Sequence, residues 1–243
     1  MLTVVLNGYK RGAHLQKQID AVKNQTFRPK EILLWQNEGE TFDPEITKQT
    51  TWASCNKNLG VWARFAFALN ARTEYVCVFD DDTIPGRRWF ENCITTMGKK
   101  EGLLGTVGLM FTKNDEYWPI NRVGWPNPNT EIVQSDFVGH AWFFKREWLS
   151  AFWRELPTTD QPMIVGEDMH FSAMLQKYLG INTYVPPHPP NDTELWGSMP
   201  ETAWEIGQDS NAISMNLDNI GLMSTELRKY VKGGWKLRFE DKK

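Results

Sequence analysis

The sequence predicts an α/β domain with a central sheet flanked by helices. Three observations carry this expectation. Apolar strand-like runs and runs of helical period alternate over the first hundred residues. Residues that favour turns bound each run. No Gly/Ser linker, low-complexity tract or internal repeat divides the 243 residues, so one domain over 1–243 is expected.

The elements follow in order. "LTVVLN" (2–7) reads as a buried strand running into the turn "GYKRG". In "AHLQKQIDAVKN" (13–24), Leu15, Ile19 and Val22 fall on one helical face. "TFRP" breaks that pattern, and "KEILLWQNEG" (30–39) reads as a second buried strand. Strand, helix and strand in so short a span form a βαβ unit, hence parallel pairing. A short strand "TTWAS" (50–54), a helix over "NLGVWARFAFALNAR" (58–72), a strand "EYVCVF" (74–79) and a helix over "GRRWFENCITTM" (86–97) come next.

The second half is less regular. "LLGTVGLMF" (103–111) and "FVGHAWFFKREWL" (137–149) contain strands, and the stretch 112–131 between them reads as one long loop. "VGEDMHFSAMLQKYLG" (165–180) holds a helix on which Phe171, Met174, Leu175 and Tyr178 repeat, with Gly180 placed as a C-cap. "INTYVPPHPPND" (181–192) reads as a last strand and a stiff turn, and no element is assigned to the tail beyond it.

Composition narrows the function. A formal net charge of −3 argues against nucleic-acid binding by phosphate neutralisation. Three widely spaced cysteines, Cys55, Cys77 and Cys93, suggest neither a disulfide framework nor a zinc site, and suit a reducing compartment. The start of the chain lacks a signal-peptide pattern and no apolar run is long enough to span a bilayer, so a cytoplasmic protein or a soluble catalytic piece is expected. Oligomeric state is not legible. Twelve tryptophans exceed what cores usually hold; the surplus suggests platforms for sugar rings beside ordinary packing.

The sharpest local feature is Asp80-Asp81-Asp82, where an apolar strand stops. Alternation points Asp80 and Asp82 to one side and Asp81 to the other. Two carboxylates on one side repel unless a cation or strong donors sit between them. Mg²⁺ or Mn²⁺ is the simplest partner, and ligands of open α/β sheets bind beyond the carboxyl ends of strands. A metal held by few protein ligands keeps positions for substrate phosphates, which points to a diphosphate substrate. The competing reading is a solvated acidic turn with Asp82 capping the next helix.

"EYVCVFDDDTIPGRRWFE" resembles the DxD strand end of GT-A fold glycosyltransferases. Four further pieces agree in order. "TVVLNGYKR" is similar to their nucleotide-binding first strand. "QTFRPKEILLWQNEG" resembles the second strand of the large inverting family that includes polysaccharide synthases, and its "WQN" that of exostosin-like transferases. "NKNLGVWARF" resembles the Arg-bearing helix before the metal motif, and "GEDMHFSAML" the later acidic motif that opens a helix. Where the inverting family often has "DDGS", this chain has Gln36-Asn37-Glu38-Gly39.

The resemblance implies a single GT-A, Rossmann-like α/β domain with a mixed central sheet flanked by helices. Residues 1–100 would bind the nucleotide sugar, and 101–243 the acceptor. It implies metal-dependent transfer from a nucleotide-diphosphate sugar, UDP-sugar foremost, to a hydroxyl of a saccharide or glycoconjugate. It makes Asp82 the direct ligand of Mn²⁺ or Mg²⁺, with Asp80 beside it, Asp80 and Asp81 serving metal-bound water or the ribose, and His188 a third ligand. Arg11 and Arg64 become contacts of the diphosphate or base, Tyr9 a stacking partner, and Asn37 and Asn58 contacts of base or ribose. For Arg64 the bland alternative is a solvated helix face, and for the asparagines turn formation.

Glu167 and Asp168 form the second acidic site. Capping of a helix N-terminus explains one acid but not a pair. By resemblance Asp168 is the catalytic acid position: general base in an inverting enzyme, or a group orienting the sugar in a retaining one, the retaining, exostosin-like case being the one that the Asn37 and "GEDM" segments favour. An ordinary pKa of ~3.9 would leave it charged at neutral pH. His140 suits a buried, hydrogen-bonded role, and His170 a solvent-facing one. Trp118, Trp125, Trp196, Trp204 and Trp235 are candidate walls and lids of an acceptor site. Two other classes fit less well. A sugar-phosphate nucleotidyltransferase should carry a Gly-rich GxGxRL loop where this chain has "NGYKRG". An inactive carbohydrate-binding protein leaves both acidic motifs unexplained.

Overall fold

The computed structural model describes residues 1–10, 12–38, 42–158, 163–202, 205, 213 and 216–239. Strands β1 (Leu2–Gly8), β2 (Glu31–Asn37), β3 (Thr51–Cys55) and β4 (Tyr75–Phe79) pair in parallel, β1 lying between β2 and β4. Helix α1 (Leu15–Lys23) makes the β1–β2 crossover and buries Leu15, Ile19 and Val22, the face its periodicity predicts. Strand β8 (Phe137–Lys145) runs antiparallel between β4 and β5 (Leu103–Phe111). β9 (Thr183–Val185) adds to β5 in parallel and carries β7 (Val133–Ser135) on its far edge, while β6 (Ile120–Gly124) forms a hairpin with β5. The sheet is therefore mixed, in the order β3-β2-β1-β4-β8-β5-β9-β7, with β6 off this path. Chain order reverses around β1, so the crevice between β1 and β4 is the topological switch point.

Three expectations needed correction. The helix foreseen over 58–72 is only α3 (Ala63–Phe67) followed by a 3₁₀ turn to Asn70. The stretch 112–131 is not all loop, because β6 lies in it. The tail contains a long helix, α7 (Leu217–Lys232). Its apolar face, with Met223, Leu227 and Tyr230, packs with Met169 and Met174 of α6 (Glu167–Leu179) in a second core beside β5. Short α2 (Pro44–Thr47) and α5 (Leu149–Phe152), together with α4 (Trp89–Lys99), complete the layers.

The tryptophans serve mainly as core. Trp62, Trp89, Trp142 and Trp148 are fully buried. α6 is buried nearly all round, since Met169, His170, Phe171, Ser172, Ala173, Met174 and Leu175 are all inside. It ends on Gly180 in the left-handed region at φ 67°, as its C-cap position predicts. Among the described residues, no helix is long and apolar enough to cross a membrane.

Candidate active site

The three aspartates leave the end of β4 as a turn closed by the Thr83 N–H donating to the Asp80 carbonyl (3.2 Å). Gln18 of α1, 1 % exposed, pins this turn. Its Nε2 donates to the carbonyls of Asp80 and Thr83, each at 2.7 Å. Across the turn stands His140 of β8. Between Gly105 and Val107 of β5, β8 carries one extra residue. His140 occupies that bulge with φ 66°, a conformation that a side chain normally avoids. The bulge turns the imidazole toward the aspartates: His140 Nδ1 lies 4.0 Å from Asp82 Oδ1. One ligand atom each from Asp80, Asp82 and His140 fall within 4.8 Å of one another. His140 Nδ1 is buried and makes no hydrogen bond among the described residues. Two carboxylates and an unused imidazole nitrogen are a donor set that fits Mn²⁺ or Mg²⁺.

The second acidic motif joins the first through Arg64. Its guanidinium is 4 % exposed, donates to Asp80 Oδ1, and reaches Glu167 Oε1 at 2.7 Å. It also lies 4.5 Å above the Trp142 ring. Burial alone would lower its pKa, but the charges of Asp80 and Glu167 outweigh burial and raise it. Burial raises the Glu167 carboxyl, Arg64 pulls it back, and the net shift is upward. Asp168 is half-buried, and burial together with the Glu167 charge raises its carboxyl well above the ordinary value. Local chemistry sets this corner. Gly166 at φ 88° turns the chain into α6. Val165 accepts a hydrogen bond from Trp62 Nε1 (3.1 Å), and Met163 one from the Val61 N–H (2.9 Å). Gly60, at φ 72°, must be glycine, because a Cβ there would sit 1.9 Å from the Met163 carbonyl oxygen.

With this geometry in place, similarity to known proteins can be read. A family model described as glycosyl transferase family 2 matches residues 3–156, more than half of the chain. The chain belongs to that family. No curated protein matches the sequence significantly. Among solved structures it is similar to S. aureus TarS, at 13% identity and TM-score 0.52, over 76% of this chain and 36% of that one. It is also similar to TarS 1-349 in complex with UDP-GlcNAc, at 15% identity and TM-score 0.50, over 76% of this chain and 57% of that one. A third is the mannosyltransferase PcManGT from Pyrobaculum calidifontis in complex with GDP-Man and Mn²⁺, at 15% identity and TM-score 0.52, over 96% of this chain and 73% of that one. The chain thus spans about a third of the longest TarS structure. At these identities the likeness is one of fold.

This family 2 chain brings Asp80, Asp82, Arg64 and Glu167 together and leaves Asp81 half-buried on the turn. Arg64 is no solvated helix face, being buried and paired with carboxylates. His188 does not join the cluster. It is fully buried, Nδ1 donates to the Pro186 carbonyl (2.7 Å), and Nε2 accepts from Thr106 Oγ1 (2.8 Å). Both ring nitrogens are thus spent. His170 is not solvent-facing: Nε2 donates to the Phe152 carbonyl (2.7 Å) and Nδ1 accepts from Tyr230 Oη (3.0 Å). Asn37 and Asn58 bind each other (2.8 Å) and fasten the turn to Gly60, the Leu59 N–H donating to Asn37 Oδ1 (2.7 Å). Tyr9 is half-buried beyond the end of β1, and Arg11 lies outside the described residues. Of the candidate wall tryptophans, Trp125, Trp196 and Trp235 are buried, Trp118 is 37 % exposed, and Trp204 lies outside the described residues. Sequence reasoning missed Gln18 and the place of His140. The only local signal for His140 was an imidazole beside Gly139 in an otherwise apolar strand.

Proposed function

We propose that this glycosyltransferase moves a sugar from a nucleotide-diphosphate donor, UDP-sugar foremost, to a saccharide hydroxyl in a metal-dependent, inverting reaction. One observation carries the reading: Asp80, Asp82 and His140 converge just beyond the carboxyl end of β4, on the edge where β8 pairs with it. Asp82, Asp80 and His140 are the residues that would hold Mn²⁺ or Mg²⁺. There the cation supplies positive charge to the departing diphosphate. The complexes of the structural neighbours with UDP-GlcNAc, and with GDP-Man and Mn²⁺, support a donor of this class.

The protein's own groups do the rest. Residues 1–100 form the donor side, with Tyr9 and Asp81 as contacts of base and ribose; Arg11, the sequence candidate for the diphosphate, lies outside the described residues. Residues 101–243 form the acceptor side. Asp168 takes the proton from the attacking hydroxyl, and its raised pKa suits a base that works near neutral pH. Arg64 and Glu167 act as positioning residues. Their ion pair ties the first turn of α6, and so Asp168, to the aspartate turn. Asn37 and Asn58 shape the donor wall through the 58–60 turn. Trp118, with Arg122 over its ring at 5.5 Å, offers a flat face for the acceptor.

Incubation with a panel of nucleotide sugars and saccharide acceptors, with and without Mn²⁺, tests this. Release of nucleoside diphosphate that requires the metal, with inversion at the anomeric carbon by NMR, is expected. Formation of nucleoside triphosphate from pyrophosphate would instead indicate a nucleotidyltransferase. Saccharide binding without turnover of any donor would indicate a binding protein.

A further inference from the structure

We infer that the cleft between α6, strands β7 and β9 and the C-terminal segment Trp235–Arg238 is a second carbohydrate site, built for a sugar unit bearing a carboxylate or phosphate. It encloses about 360 Å³ and is lined by Ser135, Asp136, Ser172, Gln176, Asn182 and Arg238 among others. This volume falls within the ~300–1,000 Å³ range of small-molecule sites and exceeds what one small ion fills.

Among the described residues, two donors in this wall lack acceptors. Ser135 is 3 % exposed, yet its Oγ has no hydrogen-bond partner. Arg238 Nε is buried and has none either. Buried donors left unpaired destabilise a fold, so such groups imply a partner that is absent here. The walls are rigid. Gln176 exchanges two hydrogen bonds with the Lys236 backbone, at 3.1 and 2.7 Å. Asp136 accepts from the N–H groups of Phe111 and Arg238, each at 2.7 Å. Lys236 and Arg238 against Asp136 leave the lining positive, which favours an anion. The amides of Gln134 and Asn182 match sugar hydroxyls in both donor and acceptor sense, while the Ser172 hydroxyl donates to the Asp168 carbonyl (3.3 Å) and keeps only acceptor capacity.

Position relates the cleft to the active site. Asp168, Ser172 and Gln176 follow at four-residue intervals, so they share one stripe of α6. Ser172 and Gln176 lie roughly 6 and 12 Å along the axis from Asp168. An acidic acceptor chain presenting a hydroxyl to Asp168 has this cleft along its path. That last link rests on the proposed function; the binding site does not.

The test uses the full chain with ¹⁵N-labelled tryptophan, the Trp235 indole resonance being assigned through Trp235→Phe. Glucuronate, glucose 6-phosphate, glucose and inorganic phosphate are titrated separately. Both acidic sugars should shift the resonance saturably, with glucose and phosphate each at least about tenfold weaker. Arg238→Gln should weaken the acidic sugars about tenfold, the effect of losing a buried hydrogen bond to a charged group. Ser135→Ala, which removes only a hydroxyl, should weaken them severalfold and guards against misfolding of the first variant. Three results overturn the proposal: no saturable shift from either acidic sugar, inorganic phosphate binding as tightly as glucose 6-phosphate, or both variants binding like wild type. Calorimetry of UDP with Mn²⁺ on the same samples reads the aspartate site separately, so failure of either reading is seen on its own.

Discussion

Arg64→Met is the most informative single perturbation of this protein. It keeps the length and apolar stem of the side chain and removes the charge between the two acidic motifs. Glu167, whose side chain is 8 % exposed, then loses its cationic partner, while Asp80, at 27 %, recovers part of its hydration. Removing one member of a buried pair costs ~3–5 kcal/mol, and the exposed Asp80 half adds little. For a chain of this size each kcal/mol moves Tm by ~2–4 °C, which predicts a fall of roughly 6–20 °C. Glu167→Gln in the same background removes the orphaned charge. The double variant should therefore be more stable than the sum of the single effects, by about 1–3 kcal/mol. Urea denaturation of all four proteins at pH 7, followed by circular dichroism, measures that coupling. An Arg64→Met protein within 1 kcal/mol of wild type, or a coupling near zero, refutes the claim that this guanidinium ties the motifs together.

Other predictions follow from the same geometry. Asp168→Asn should abolish transfer while UDP binding with Mn²⁺, read by calorimetry, is unchanged. In the wild type the raised Asp168 pKa should place the ascending limb of the pH–rate profile above the ordinary carboxylate range of ~3.9. His140→Ala should weaken Mn²⁺-dependent UDP binding tenfold or more, whereas His188→Gln should leave that affinity unchanged even where it lowers Tm. Burial lowers the pKa of both His170 and His188 to about 4, from 6.5 unfolded. At ~1.4 kcal/mol per unit, each contributes roughly 3 kcal/mol that is present above pH 6.5 and lost as pH falls through 4. NMR titration of the two imidazoles checks this, and a midpoint near 6.5 for either one contradicts it.

Local patterning was enough for most of the strands, though not for β6 or β7, and for one of the two acidic motifs. A run of buried β-branched and aromatic residues ending in three aspartates marks the rim of a sheet whatever lies beside it, and Gly180 marks a helix end through its own φ preference. The parallel first half followed from β and α runs alternating at short range. What only the tertiary structure decided depends on pairing between distant segments. His140 and His188 look alike in sequence, each a lone imidazole in a stiff or apolar stretch. β8 inserts beside β4, and an extra residue in its pairing with β5 aims the first at Asp82. The second is consumed by Thr106 and Pro186. For Arg64 the sequence left a phosphate or base contact and a solvated helix face both open; α6, a hundred residues later, brings Glu167 to it. Helix α7 has an apolar stripe with no partner nearby in the chain, and its burial is defined only by the β5 hairpin and α6 against which it packs. Propensity and periodicity act over a few residues, while the cluster of Asp80, Asp82 and His140 and the ion-pair link are products of register and packing across the sheet.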